Sequence, residues 1–169
     1  MSLLKIAQVP PPVVESGASV LEAVEVMAEH GVGAVGVLDG GMLLGIFTER
    51  DVMLRVVLKE RDPKLTKVSD VMTSPAQTIS DDTTEEDALV HMLEQHVRHL
   101  PIVAKDGKLK AMLSIRNVLE HRVDELAREL HSLDQYLSND GPGGQSVPSL
   151  SSPSLRFHNA GCLGHRPCW

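Results

Sequence analysis

The chain has 169 residues, a length for one domain or for two small repeats. A net charge of −7 argues against a binder of phosphate backbones, and with only Phe47, Tyr136, Phe157 and Trp169 aromatic there is little on which single-stranded bases could stack. No apolar run approaches the roughly 20 residues of a membrane helix, and MSLLKIAQVPPPVV lacks a secretory h-region. Both cysteines, Cys162 and Cys168, stand near the C-terminus, so the body uses no disulfide and a cytoplasmic location is expected.

In chain order, a short strand is predicted at Pro12–Val14. Val20, Val24, Met27 and Ala28 then recur at helical spacing, with Ser19 as N-cap and Glu22 three residues on. A β-type run, AVGVL, leads through the turn DGG at 39–41 into MLLGIF, and Thr48 opens a second helix, TERDVMLRVVLKE. After the linker the same order returns. A strand is predicted at Gln77–Ile79, followed by a helix carrying Ala88, Met92 and Leu93 behind Thr84 and Asp87. HLPIV, the turn KDGK at 105–108 and LKAML come next, and Ser114 opens SIRNVLEHRV. A shift of 65 lays Ala23 on Ala88, Met27 on Met92, Val32 on Val97 and Val37 on Ile102. One extra residue in the second turn makes the shift 66 at Thr48 and Ser114.

The expected fold is α/β (α+β): two repeats, each helix–strand–strand–helix with a short leading strand. Neither buries much core alone, so they should pack sheet to sheet about a pseudo-twofold. The expected divisions are repeat 1 at 5–62, a linker at 63–76, repeat 2 at 77–122, a C-terminal helix extension at 123–138 and a flexible tail at 139–169.

GIFTERD at 45–51 returns as AMLSIRN at 111–117. Thr48 with Asp51, and Ser114 with Asn117, fit a helix cap whose hydroxyl accepts from a first-turn N–H. They also fit a ligand site, in which the helix N-terminus and hydroxyl meet a phosphate and the acid one turn deeper accepts from a ribose. Spacing leaves both readings open.

The repeat, RHLPIV, VSDVM and GIFTERD together resemble a pair of cystathionine β-synthase (CBS) domains over residues 5–122, and the whole chain resembles the stand-alone CBS-pair proteins of prokaryotes. The resemblance implies a regulatory module, not an enzyme, that binds AMP, ADP, ATP, NAD(H) or S-adenosylmethionine as regulatory ligand, with no cofactor required. Carried over, one site comprises Thr48, Arg50 and Asp51, with Gly33, Ala34 and Val35 at the adenine edge and Val13 and Val14 as wall. The other comprises Ser114, Arg116 and Asn117, with Arg98, His99, Leu100 and Pro101, and Thr78 and Ile79 as wall. Ala111 and the neutral Asn117 depart from the family pattern, which ranks the first site higher.

Other features carry less. His91, His96 and His99 share no face that would hold a metal, and the tail set His158, Cys162, His165 and Cys168 lies beyond a Gly/Pro/Ser-rich stretch, so no metal is expected. Leu119, Val123, Leu126, Leu130, Leu133 and Leu137 are spaced 4-3-4-3-4, an a/d seam. That seam either lies back on its own repeat or joins a second copy, a homodimer. The expected partners are a small adenosyl ligand and an unidentified protein target, with no nucleic acid and no membrane. The rival reading is a ligand-free interaction module acting through the dimer and the last helix.

Overall fold

The computed structural model describes residues 3–139. It has two three-stranded sheets, one per repeat. In repeat 1, β1 (Val13–Glu15) runs parallel to the central strand β2 (Ala34–Asp39), which pairs antiparallel with β3 (Met42–Thr48). In repeat 2, β4 (Ile79–Ser80) runs parallel to β5 (His99–Val103), which pairs antiparallel with β6 (Leu109–Ser114). Helix α1 (Val20–His30) precedes β2, and α3 (Glu85–Glu94) precedes β5.

Strand alternation sorts the side chains. In repeat 1, Val14, Val35, Val37 and Phe47 turn inward to a core with Val20, Ala23 and Met27 of α1. Ile79, Leu100, Ile102, Ala111 and Leu113 do the same in repeat 2, with Ala88 and Met92 of α3. The other faces look across to the partner repeat. Ala34, Ile46 and Met112 form a buried cluster there, and a Cβ on Gly36 would stand 2.7 Å from the Leu109 side chain. The sheet-to-sheet packing expected from the duplication is therefore present.

Capping follows the sequence at both helix starts. Ser19 accepts from the Glu22 amide while Glu22 takes the Ser19 N–H, and Thr84 accepts from the Asp87 amide. The ends differ. Gly31 closes α1 in the left-handed region at φ 62°, and 65 positions on His96 holds φ 54° without glycine's freedom.

Two features depart from expectation. The helix after Thr48 is α-helical only over α2 (Glu49–Asp51) and continues as a π-helix over Val52–Val57, with the Leu58 N–H donating to the Met53 carbonyl. By contrast α4 runs unbroken from Ile115 to Asn139, the long C-terminal helix expected after repeat 2.

The second departure concerns the segments before each repeat. Leu3 is buried in the core of repeat 2, whereas Val68 and Val71 of the linker are buried in the core of repeat 1. Gln8 bridges to Met112 of β6, and Thr73 bridges to Ile46 of β3. Each repeat is thus completed by the segment that precedes its sister. The spans 5–62 and 63–76 divide by sequence what the packing exchanges. The tail set of His158, Cys162, His165 and Cys168 lies outside the described residues.

Candidate functional site

Each junction forms where the third strand of a repeat hands over to a helix. The Glu49 N–H donates to the Gly33 carbonyl at 3.1 Å, and at the equivalent place the Ile115 N–H donates to the Arg98 carbonyl at 2.9 Å. Every junction is thereby pinned to the entry of its central strand.

Thr48 and Asp51 form a reciprocal capping box. The Asp51 amide donates to Thr48 Oγ1 at 3.3 Å, and Asp51 Oδ2 accepts from the Thr48 amide at 3.0 Å and hydroxyl at 2.8 Å. Asp51 is buried, 6% exposed, and its second oxygen is also engaged. Oδ1 accepts from Thr73 Oγ1 at 3.1 Å and lies 3.4 Å from Arg55 Nη1. Arg55 also donates to the carbonyl oxygens of Val71 (2.9 Å) and Met72, so the linker is latched onto the acid of the first junction.

The second junction repeats the cap without the latch. Asn117 Oδ1 accepts from the Ser114 amide at 3.3 Å and from the Ser114 hydroxyl, and the Asn117 amide returns to Ser114 Oγ at 3.2 Å. Gln8 and His121 stand at the positions of Thr73 and Arg55, and neither bonds to Asn117 in the described structure.

The other expected residues divide by strand face. Val13 and Ala34 face the inter-repeat side with Thr48 and Asp51 at the strand end, and His99 and Pro101 do so in repeat 2. Val14, Val35, Ile79 and Leu100 point into the helix-side cores. The aliphatic wall is therefore narrower than expected, because period-2 alternation lets those four offer a ligand only backbone. Thr78, Arg98, Arg50 and Arg116 are exposed, and Arg116 is paired with Glu120 at 2.9 Å.

Charge at the cleft is uneven. A Cβ on Gly33 would stand 2.9 Å from Glu49 Oε2, so glycine leaves room for that carboxylate. His99 is held below its usual pKa of 6.5, first by burial and then by the Arg98 charge, with Glu49 partly offsetting both. The described pocket does not coincide with either junction: lined by Asp81, Asp82, Ala104, Lys105, Asp106 and Lys110, it sits at the hairpin end of repeat 2 and is open and charged. Sequence reading missed Glu49, Arg55 and Thr73. Arg55 is four residues after Asp51 and could have been found from helical spacing; nothing local marks Thr73.

Comparison with known proteins decides the family. The model of the CBS domain matches twice, at residues 5–58 and 68–124. This chain belongs to the CBS-domain family. A CBS domain-containing mitochondrial protein of Arabidopsis thaliana, CBSX3, is 36% identical over 124 residues, which is 70% of this chain and 60% of that protein. This chain thus spans less than two thirds of that relative's length. The structure of CBSX2 in complex with AMP superposes with a TM-score of 0.62 at 28% identity, covering 73% of this chain and 96% of that one. A CBS domain protein of Pyrobaculum aerophilum complexed with AMP gives 0.63 at 25% identity, with 69% and 89% covered. The tandem CBS arrangement is established, and no described helix is long and apolar enough to cross a membrane.

Proposed function

We propose that the chain is a non-enzymatic sensor whose CBS clefts take an adenosine-containing ligand, AMP in the first place, with ADP, ATP, NAD(H) and S-adenosylmethionine as alternatives. The supporting observation is the duplicated hydroxyl–acid junction, each copy at a helix start beside the inter-repeat face. The AMP complexes of the two related CBS proteins point the same way. A ribose hydroxyl donating to Asp51 Oδ1 would compete there with Thr73 and Arg55, so filling the first cleft would weaken the linker latch. The ligand shifts that balance by its differential affinity for the latched and released states. The reading places the protein in the cytoplasm.

The test is thermal unfolding of protein stripped of co-purified ligand, titrated with each of these compounds. Ligand at about 100 times its dissociation constant contributes about 2.7 kcal/mol, several degrees of Tm. The shift is expected to vanish in Asp51→Ala and only to shrink in Asn117→Ala. If no compound shifts the wild type, the junctions are caps alone.

A second reading has its own observation. Leu119, Val123, Leu126, Leu130 and Leu133 of α4 are 50–64% exposed, and Asp51 already has partners on both oxygens. A CBS pair that acts through a helix-mediated homodimer or a protein target, without a ligand, fits those facts.

A further inference from the structure

Away from both junctions, three side chains with metal-binding atoms converge where α3 meets α4. Glu85 opens α3, and His121 and Glu125 are four residues apart on one face of α4. One donor atom from each lies within 4.8 Å of the other two. His121 Nδ1 is 3.0 Å from Glu85 Oε2 and 3.9 Å from Glu125 Oε2. Ligand atoms about 2.1 Å from a tetrahedral ion stand about 3.4 Å apart, so these two edges bracket that geometry.

A second observation sets the group apart from an ordinary surface ion pair. His121 Nδ1 and Glu85 Oε1 have no accessible surface and no hydrogen-bond partner. The 3.0 Å approach of Nδ1 to Glu85 is thus a close contact without hydrogen-bond alignment, as when donor atoms surround a common point rather than face each other. The fold itself does not call for these residues. At the equivalent positions repeat 1 has Val20, Arg55 and Lys59, and Val20 lies in the core. Repeat 2 places a half-buried carboxylate there, which costs free energy unless it is compensated.

Arg122 offers part of that compensation. Its Nε is 3.7 Å from Glu85 Oε1 and its Nη1 is 3.2 Å from Glu125 Oε2. It reaches both carboxylates and leaves Nδ1 without a hydrogen-bond partner.

We propose that Glu85, His121 and Glu125 bind one divalent transition-metal cation, tying the first turn of α3 to α4. The mixed imidazole and carboxylate set suits zinc, cobalt or manganese, and three protein ligands leave room for water. The site is independent of the adenosyl reading of the clefts.

The experiment uses the full-length chain with Cys162→Ser and Cys168→Ser, which removes the tail thiolates as competing ligands, after dialysis against a chelator. Zinc is titrated by calorimetry, and cobalt is followed by its visible d–d bands. One ion per chain is expected, with a zinc-dependent rise in Tm. His121→Ala and Glu125→Gln are each expected to weaken zinc binding at least tenfold and to reduce the cobalt bands. Glu125→Gln keeps the test valid if His121→Ala does not fold, as judged by circular dichroism. Absence of zinc binding, or binding unchanged in a folded variant, would overturn the proposal and leave the Arg122 ion pairs as the explanation.

Discussion

Asp51 illustrates how one side chain can satisfy two accounts at once. It completes a helix cap with Thr48, and it anchors the linker through Thr73 and Arg55. Gly45 belongs to the same contact. A Cβ there would stand 2.6 Å from the Thr73 carbonyl and 2.8 Å from Met72 Sδ, because the linker runs across β3 at that point. Gly45→Ala is expected to lower stability by about 1–3 kcal/mol, the usual range for overpacking, measurable by urea unfolding. At the equivalent position Ala111 is buried in the core of repeat 2, where its methyl group is accommodated. His99 gives a pH prediction. Its folded pKa is depressed, so the native state binds fewer protons than the unfolded chain below about pH 6.5. Its contribution is therefore intact above that value and is lost as pH falls through the folded pKa. Unfolding midpoints from pH 8 to 5.5 are expected to fall more for the wild type than for His99→Gln; parallel slopes would refute this.

Among the elements, the helix ends separate what local chemistry dictates from what packing tolerates. Ser19, Thr48, Thr84 and Ser114 all cap, as their side chains require near free N–H groups. Gly31 ends α1 in the left-handed region at no steric cost, whereas His96 ends α3 at φ 54° with a Cβ in the way. Left-handed backbone costs an L-residue roughly 1–2 kcal/mol, so His96→Gly is expected to stabilise the protein by about 1 kcal/mol in thermal or urea unfolding. The helix after Thr48 shows where local reading stops. Its apolar spacing suits an α-helix, but the chain adopts a π-helix over Val52–Val57, in the stretch where Arg55 reaches the linker carbonyls and Val56 stays buried.

For the whole molecule, the exposed seam of α4 carries the prediction. Five aliphatic side chains at heptad spacing stand open to solvent, which removes the option that they pack on their own repeat. Light scattering is expected to show a dimer for the wild type and a monomer for Leu126→Glu with Leu130→Glu; a dimer that persists would exclude this helix from assembly.

The amino-acid sequence by itself determined the duplication, the order of elements, the caps and the two junctions. Each of these depends on neighbours a few residues apart, or on comparing one half of the chain with the other. Only the tertiary structure decided that Leu3 completes repeat 2 and that Val68 and Val71 complete repeat 1. It alone turned Val14 and Leu100 away from the cleft and brought Thr73 onto Asp51 and Glu85 onto His121. Thr73 and Asp51 are 22 positions apart, and Glu85 and His121 are 36 apart. Nothing in local propensity distinguishes a partner at that range from any other polar or aliphatic residue, so packing alone selects it.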